Sequence, residues 1–163
     1  MRKLILVRHC KSSWSDLRLS DYDRPLNARG KNDGMIMSKY LSEKIKNIDM
    51  LLSSSSNRTK LTSEFFINRM KFKNKKFTDR LYHASEFDII NILKSLENNI
   101  NSILIIGHNP GFTELVNFLS DINLYNLPTT GIVVFNLRIS NWSDIDKNIG
   151  EIEIIKFPKH FKS

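Results

Sequence analysis

Apolar residues in this chain form short unbroken runs that alternate with stretches of helical spacing. Leu4-Ile5-Leu6-Val7 is such a run, and it stops abruptly at Arg8-His9. An apolar run this short and without alternation reads as a strand covered on both faces. Ile48–Leu52 and Ser102-Ile103-Leu104-Ile105-Ile106 repeat the pattern, and Lys76–Thr78 is a shorter strand candidate between them. Gly34, Met37, Leu41 and Ile45 share one helical face, which predicts a helix from about Ala28 to Lys46 with Asn27 as its N-cap. Gly30 and Gly34 each weaken that helix by roughly 1 kcal/mol relative to Ala, so close packing on the sheet is expected there. Leu61, Phe65 and Met70 mark a second helix behind the turn Ser53-Ser54-Ser55-Ser56-Asn57-Arg58-Thr59. Ser85 and Asp88 form a capping box ahead of a third, with Ile89, Ile92, Leu93 and Leu96 on its face. Leu115, Val116 and Leu119 belong to a fourth. Ile132–Leu137 and Ile152–Phe157 read as an antiparallel strand pair joined by the polar loop 138–149, to which no function is assigned.

Strands alternating with helices over the first 120 residues predict an α/β fold. The expected architecture is three-layered, α/β/α, with a mostly parallel central sheet and an antiparallel C-terminal strand pair. A length of 163 residues suits one domain spanning 1–163.

Composition narrows the partners. The formal net charge of +8 favours anionic ligands. The charge is dispersed, however, and its densest cluster, Lys71, Lys73, Lys75 and Lys76, reads as a solvated loop rather than a nucleic-acid patch. The one cysteine, Cys10, excludes an internal disulfide framework and points to a reducing cytoplasm. Met1-Arg2-Lys3 before Leu4–Val7 imitates a signal peptide, but the apolar run is too short for one, and no run reaches the length of a membrane span. A cytoplasmic protein without membrane contact is expected.

Candidate chemistry lies where the strands stop. The first ends at Arg8-His9, the second just before Arg58, and the fourth at Gly107-His108-Asn109-Pro110-Gly111. Parallel strands in one sheet bring their carboxyl ends to one edge, where ligands of open α/β sheets sit. Two guanidiniums with two imidazoles suit a phosphoryl group, whose oxygens arginine forks can grip in pairs. The arginines oppose a metal ion and no carboxylate stands at those strand ends, so no metal is expected. A cysteine-phosphatase loop would need arginine six positions after Cys10, where Asp16 stands; Cys10 is expected to be a packing residue.

Val7-Arg8-His9, Ser53-Ser54 with Arg58-Thr59, and Gly107-His108-Asn109-Pro110 together resemble the histidine phosphatase superfamily, of phosphoglycerate mutase-like fold. Lys11-Ser12-Ser13-Trp14, Asp23-Arg24-Pro25-Leu26, Arg29-Gly30 and Pro128-Thr129-Thr130-Gly131 are similar to its short SixA-type phosphohistidine phosphatases. The resemblance implies His9 as nucleophile, forming a phosphohistidine that water hydrolyses, with Arg8, Arg24, Arg58 and His108 around the phosphoryl oxygens and no cofactor. Cys10 stands where the wider superfamily usually has Gly. The general acid that other branches place after the third strand has Glu86 as its nominal counterpart, and Glu86 reads better as a first-turn helix residue. An imidazole leaves more readily than an alkoxide, so a pocket without an evident acid suits phosphohistidine on a partner protein. The alternatives are a small phosphorylated metabolite as substrate, hydrolysed by a phosphomonoesterase on the same scaffold, and a phospho-ligand binding protein without turnover. Nucleic acid ranks below these.

Overall fold

Six strands form one mixed sheet in the computed structural model, which describes residues 1–162. In chain order the elements are β1 (Arg2–Arg8), α1 (Ala28–Lys44), β2 (Asn47–Ser54), α2 (Asn57–Ile67), β3 (Lys71–Thr78), α3 (Glu86–Lys94), β4 (Ser102–Gly107), α4 (Gly111–Leu119), β5 (Ile132–Leu137) and β6 (Gly150–Lys156). The strand order is β3-β2-β4-β1-β5-β6. The first four run parallel, β5 runs antiparallel to β1, and β6 antiparallel to β5.

Strand periodicity divides the core in two. Leu4 and Leu6 of β1 join Ile103 and Ile105 of β4 beneath α3 and α4, while Ile5 and Val7 join Leu104 and Ile106 beneath α1 and α2. Side chains of a strand alternate between faces, so these are opposite sides of one sheet and the architecture is α/β/α. The register fixes the site: Arg8 pairs with Gly107 across β1–β4, and Ser53 with Ile106 across β2–β4. His9, Ser54 and His108 therefore leave the sheet at nearly one level.

Three local expectations need correction. The buried face of α2 is Arg58, Thr59, Thr62, Ser63 and Phe66, whereas Leu61 and Phe65 are only half-buried and Met70 lies beyond the helix. Small hydroxylated residues can face inward because they bond locally: Thr62 Oγ1 donates to Arg58 O at 2.7 Å and accepts from Cys10 N at 2.9 Å. The two glycines of α1 pack against neighbours other than the sheet. A Cβ on Gly30 would stand 2.1 Å from Lys11 O, and one on Gly34 2.6 Å from the Phe65 ring. Finally, the lysine cluster belongs to β3, which already begins at Lys71 and forms an edge of the sheet. Exposed lysines suit that position because they discourage pairing with another chain's edge.

Candidate active site

At the carboxyl edge of the parallel strands, Arg8, His9, Lys11, Ser12, Trp14, Arg24, Arg58, His83, His108, Asn109 and Thr129 surround a pocket of about 260 Å³. Side chains fifty and a hundred positions apart thus meet, as the strand ends required. A second hollow of about 270 Å³, beside Met50, Leu52 and Ile92, gathers no such set of charged and imidazole groups.

His9 is buried, and its ring lies 5.3 Å from that of His108. Nδ1 is 2.8 Å from Cys10 O. A carbonyl can only accept, so Nδ1 carries the proton and Nε2 keeps its lone pair. Burial holds the His9 pKa well below that of a free imidazole; the backbone bond opposes this, and His108, Arg58 and Arg8 reinforce it. His9 is therefore a neutral imidazole with one committed nitrogen and one available for bonding.

His108 sits between Arg58 and Ser54. Arg58 Nη2 donates to Nδ1 across 3.3 Å, which leaves Nε2–H to donate to Ser54 Oγ at 2.9 Å. Burial first, then the Arg58 charge, lowers its pKa to about 3. Ser54 contributes because β2 continues two residues past Leu52, into what the sequence suggested was turn.

Each arginine is held from behind by an acceptor. Arg8 Nη1 donates to Leu127 O at 2.9 Å, a carbonyl that Asn109 Nδ2 also reaches at 2.8 Å. Arg8 Nε is buried and has no protein partner among the described residues. Arg24 donates to Ser13 O at 3.0 Å and Ser12 Oγ at 2.5 Å, and its guanidinium carbon lies 3.2 Å from the centre of the Trp14 ring. Arg58 Nη1 donates to Asp21 O at 2.7 Å and Nη2 to Asp21 Oδ2 at 3.1 Å, while Arg24 Nη1 reaches Asp21 Oδ1 at 3.1 Å.

Asp21 therefore ties together two arginines of the pocket, and Tyr82 Oη donates to the same carboxylate at 2.6 Å. Burial alone would raise the Asp21 pKa, but the bonds from Tyr82, Arg58 and Arg24 prevail and hold it well below the usual carboxylate range. Asp21 remains ionised and has no proton to give. Sequence reasoning passed over Asp21, Tyr82 and His83. All three lie in loops that follow parallel strands, and that position was the available signal. Glu86 is not part of the pocket lining; its carboxyl pairs with Glu114, whose pKa this contact raises. Cys10 is fully buried, and its thiol approaches Gly34 of α1, so the Cys for Gly exchange does not reach the pocket. Among the described residues no three His, Cys, Asp or Glu side chains gather as a metal site would need. Nor is any helix there long and apolar enough to cross a membrane.

Comparison with known proteins finds relatives in sequence and in fold. An uncharacterized chloroplastic protein of Arabidopsis thaliana is 29% identical over 153 residues, covering 88% of this chain and 70% of its own. Among solved structures, the protein histidine phosphatase SixA complexed with tungstate matches with a TM-score of 0.81 at 22% identity, covering 98% of this chain and 99% of that one. Phosphoserine phosphatase of Entamoeba histolytica, complexed with 3-phosphoglyceric acid, matches with a TM-score of 0.65 at 16% identity, covering 98% and 99%. The model of the histidine phosphatase superfamily (branch 1) matches residues 4–84, the segment that supplies Arg8, His9, Arg24 and Arg58. The chain belongs to the histidine phosphatase superfamily and is a histidine-dependent phosphatase.

Proposed function

We propose that the protein removes a phosphoryl group through a covalent phosphohistidine on His9, and that its substrate is a phosphohistidine side chain on another protein. The observation that carries the first part is the His9 tautomer, with Nδ1–H committed to Cys10 O and Nε2 directed by default to bond phosphorus. Arg8, Arg24 and Arg58 would grip the phosphoryl oxygens, and the buried, unpartnered Nε of Arg8 is a donor that an oxyanion satisfies. His108, held neutral by burial, would take up a proton as the dianion arrives and donate it as a hydrogen bond. A covalent intermediate divides one hard displacement into two easier ones, and the same cationic pocket stabilises both.

The size of the pocket supports the protein substrate. At about 260 Å³ it falls below the range of roughly 300–1,000 Å³ usual for pockets that enclose an organic ligand. It accommodates the phosphoryl group and leaves the rest of the substrate outside. Trp14 on its lining is 65% exposed and Leu17 on the same loop 87% exposed, an apolar lip over which a protein surface could lie.

Two measurements test this. Brief reaction with a radiolabelled phosphoryl donor is expected to leave an acid-labile label on the protein, absent in His9→Ala; a label that survives this substitution overturns the role of His9. Turnover of a phosphohistidine protein should exceed that of alkyl phosphate esters, and faster ester hydrolysis would overturn the substrate assignment.

A further inference from the structure

With Glu86 turned toward Glu114 and Asp21 locked as a carboxylate, no carboxylic acid among the described residues is placed to protonate a departing group. Another titratable side chain of the lining was singled out by neither motif nor family resemblance. His83, in the loop between β3 and α3, lines the pocket while 61% of its side chain is open to solvent. It thus lies where the phosphoryl site meets the outside, where the leaving group must be.

Its placement is constrained from several sides. Nε2 is 3.5 Å from Asp21 Oδ2 on the loop before α1. The ring lies 4.0 Å from that of its neighbour Tyr82 and 5.8 Å from that of His108 at the end of β4. Arg58, on α2, faces the same cluster through Asp21 and the Tyr82 ring. The His83 backbone has a φ of 56°, a left-handed conformation that residues with a Cβ seldom adopt. Residues held this way concentrate at functional sites, where the conformation aims a side chain. The charged groups around His83 are Asp21 and Arg58, and the His108 ring faces it from the end of β4.

We propose that His83 is the proton donor to the leaving group and, in the second step, the base that activates water. The inference rests on the phosphoenzyme reading above and assigns a role within it. In the first step the His9 Nε2–P bond forms as the bond from phosphorus to the leaving oxygen or nitrogen breaks. The proton of the His83 imidazolium passes to that departing atom, and His83 becomes neutral. In the second step water attacks phosphorus and gives its proton to His83, and the Nε2–P electron pair returns to His9. Inorganic phosphate departs, and both histidines regain their starting states.

The test is the dependence of rate on leaving group in His83→Gln and His83→Asn, compared with the parent chain over pH 5 to 9. The ratio kcat/KM reports only the steps up to phosphoenzyme formation, so the second step does not obscure it. Loss of a general acid is expected to lower kcat/KM on an alkyl phosphate by roughly 100-fold, within the usual range for such catalysis, and on p-nitrophenyl phosphate roughly tenfold less. The alkaline limb of the pH profile for the alkyl ester should disappear in both variants. With p-nitrophenyl phosphate the labelled phosphoenzyme should accumulate, because its hydrolysis has lost a base. An equal loss on both esters indicates a merely structural side chain and overturns the proposal, as does no loss on either. If the parent chain acquires no label that His9→Ala lacks, the phosphoenzyme reading itself fails. If that label forms but the variants show no leaving-group dependence, only the role of His83 fails.

Discussion

Substitution of Asp21 by Asn separates two things the carboxylate does at once. It fixes Arg24 and Arg58, and it places a negative charge behind the guanidiniums proposed to grip the anion. Its oxygens accept from Arg24 Nη1, Arg58 Nη2 and Tyr82 Oη, each within 3.1 Å. An amide keeps one acceptor and turns an NH2 toward a guanidinium at the other position, so one or two of these contacts are lost. Charge-assisted bonds contribute about 1.5–3 kcal/mol when buried. The Asp21 side chain is 39% exposed, so solvent screening brings each nearer 1 kcal/mol. The expected loss is about 1–2 kcal/mol, which for a chain of this size lowers Tm by roughly 2–4 °C per kcal/mol.

Oxyanion affinity should move the other way. At an effective dielectric of about 20, unit charges at 4 Å interact by about 4 kcal/mol, and the width of an intervening guanidinium roughly halves this before salt screens it further. Removing the carboxylate charge should therefore tighten binding of tungstate about tenfold. Calorimetric titration with tungstate at fixed ionic strength, alongside thermal unfolding of the same samples, measures both quantities. A variant that is less stable and binds tungstate more tightly agrees with the calculation. One that binds tungstate tenfold more weakly refutes it, and would mean that arginine placement outweighs the charge.

Two further outcomes follow from burial and packing. His108 stays neutral in the fold down to about pH 3 but takes a proton near pH 6.5 when unfolded, so its contribution is full above pH 6.5 and is lost as pH falls. Urea unfolding at pH 5 should show about 2 kcal/mol less stability from this group than at pH 7, with His9 adding in the same direction, and His108→Gln should reduce the dependence; an unchanged dependence would remove the argument. Gly30→Ala should gain about 1 kcal/mol of helix propensity but drive a Cβ against Lys11 O, and overpacking of about 1–3 kcal/mol is expected to win. Because Lys11 follows the carbonyl that holds His9, kcat/KM should fall as well, and a stabilised, fully active variant would contradict the contact.

The parts of the site legible in the sequence are those a periodic element carries. Arg8, His9 and His108 follow unbroken apolar runs, and the parallel register brings the ends of those runs level. Arg58 was found for the same reason, in the first turn of the helix behind β2. The inward face of α2 was misjudged because apolarity is a poor guide where threonines and serines satisfy their hydroxyls within the turn. Asp21, Tyr82 and His83 were missed for a different reason. Their contacts join the loop after β1 to the loop after β3, a distance of some sixty residues that no period spans. Glu86 had a sequence argument and lies outside the pocket, whereas His83 had none and lines it.

The charge balance explains why such a pocket can stand open in water. Three guanidiniums, the Lys11 ammonium and the buried imidazoles of His9 and His108, all protonated and crowded together, would repel one another and the fold would bear the cost. Burial avoids part of this by holding both His9 and His108 neutral. Asp21 removes another unit by pairing with Arg24 and Arg58. What remains among Arg8, Lys11, Arg24, Arg58 and Asp21 is a formal charge of three positive units, which favours a phosphoryl dianion. Without Asp21 the same groups would carry four, and under the proposed mechanism the product phosphate would be held more tightly and released more slowly. Under the proposed mechanism this carboxylate thus serves turnover, and the burial that keeps the imidazoles neutral leaves His9 Nε2 unprotonated for attack.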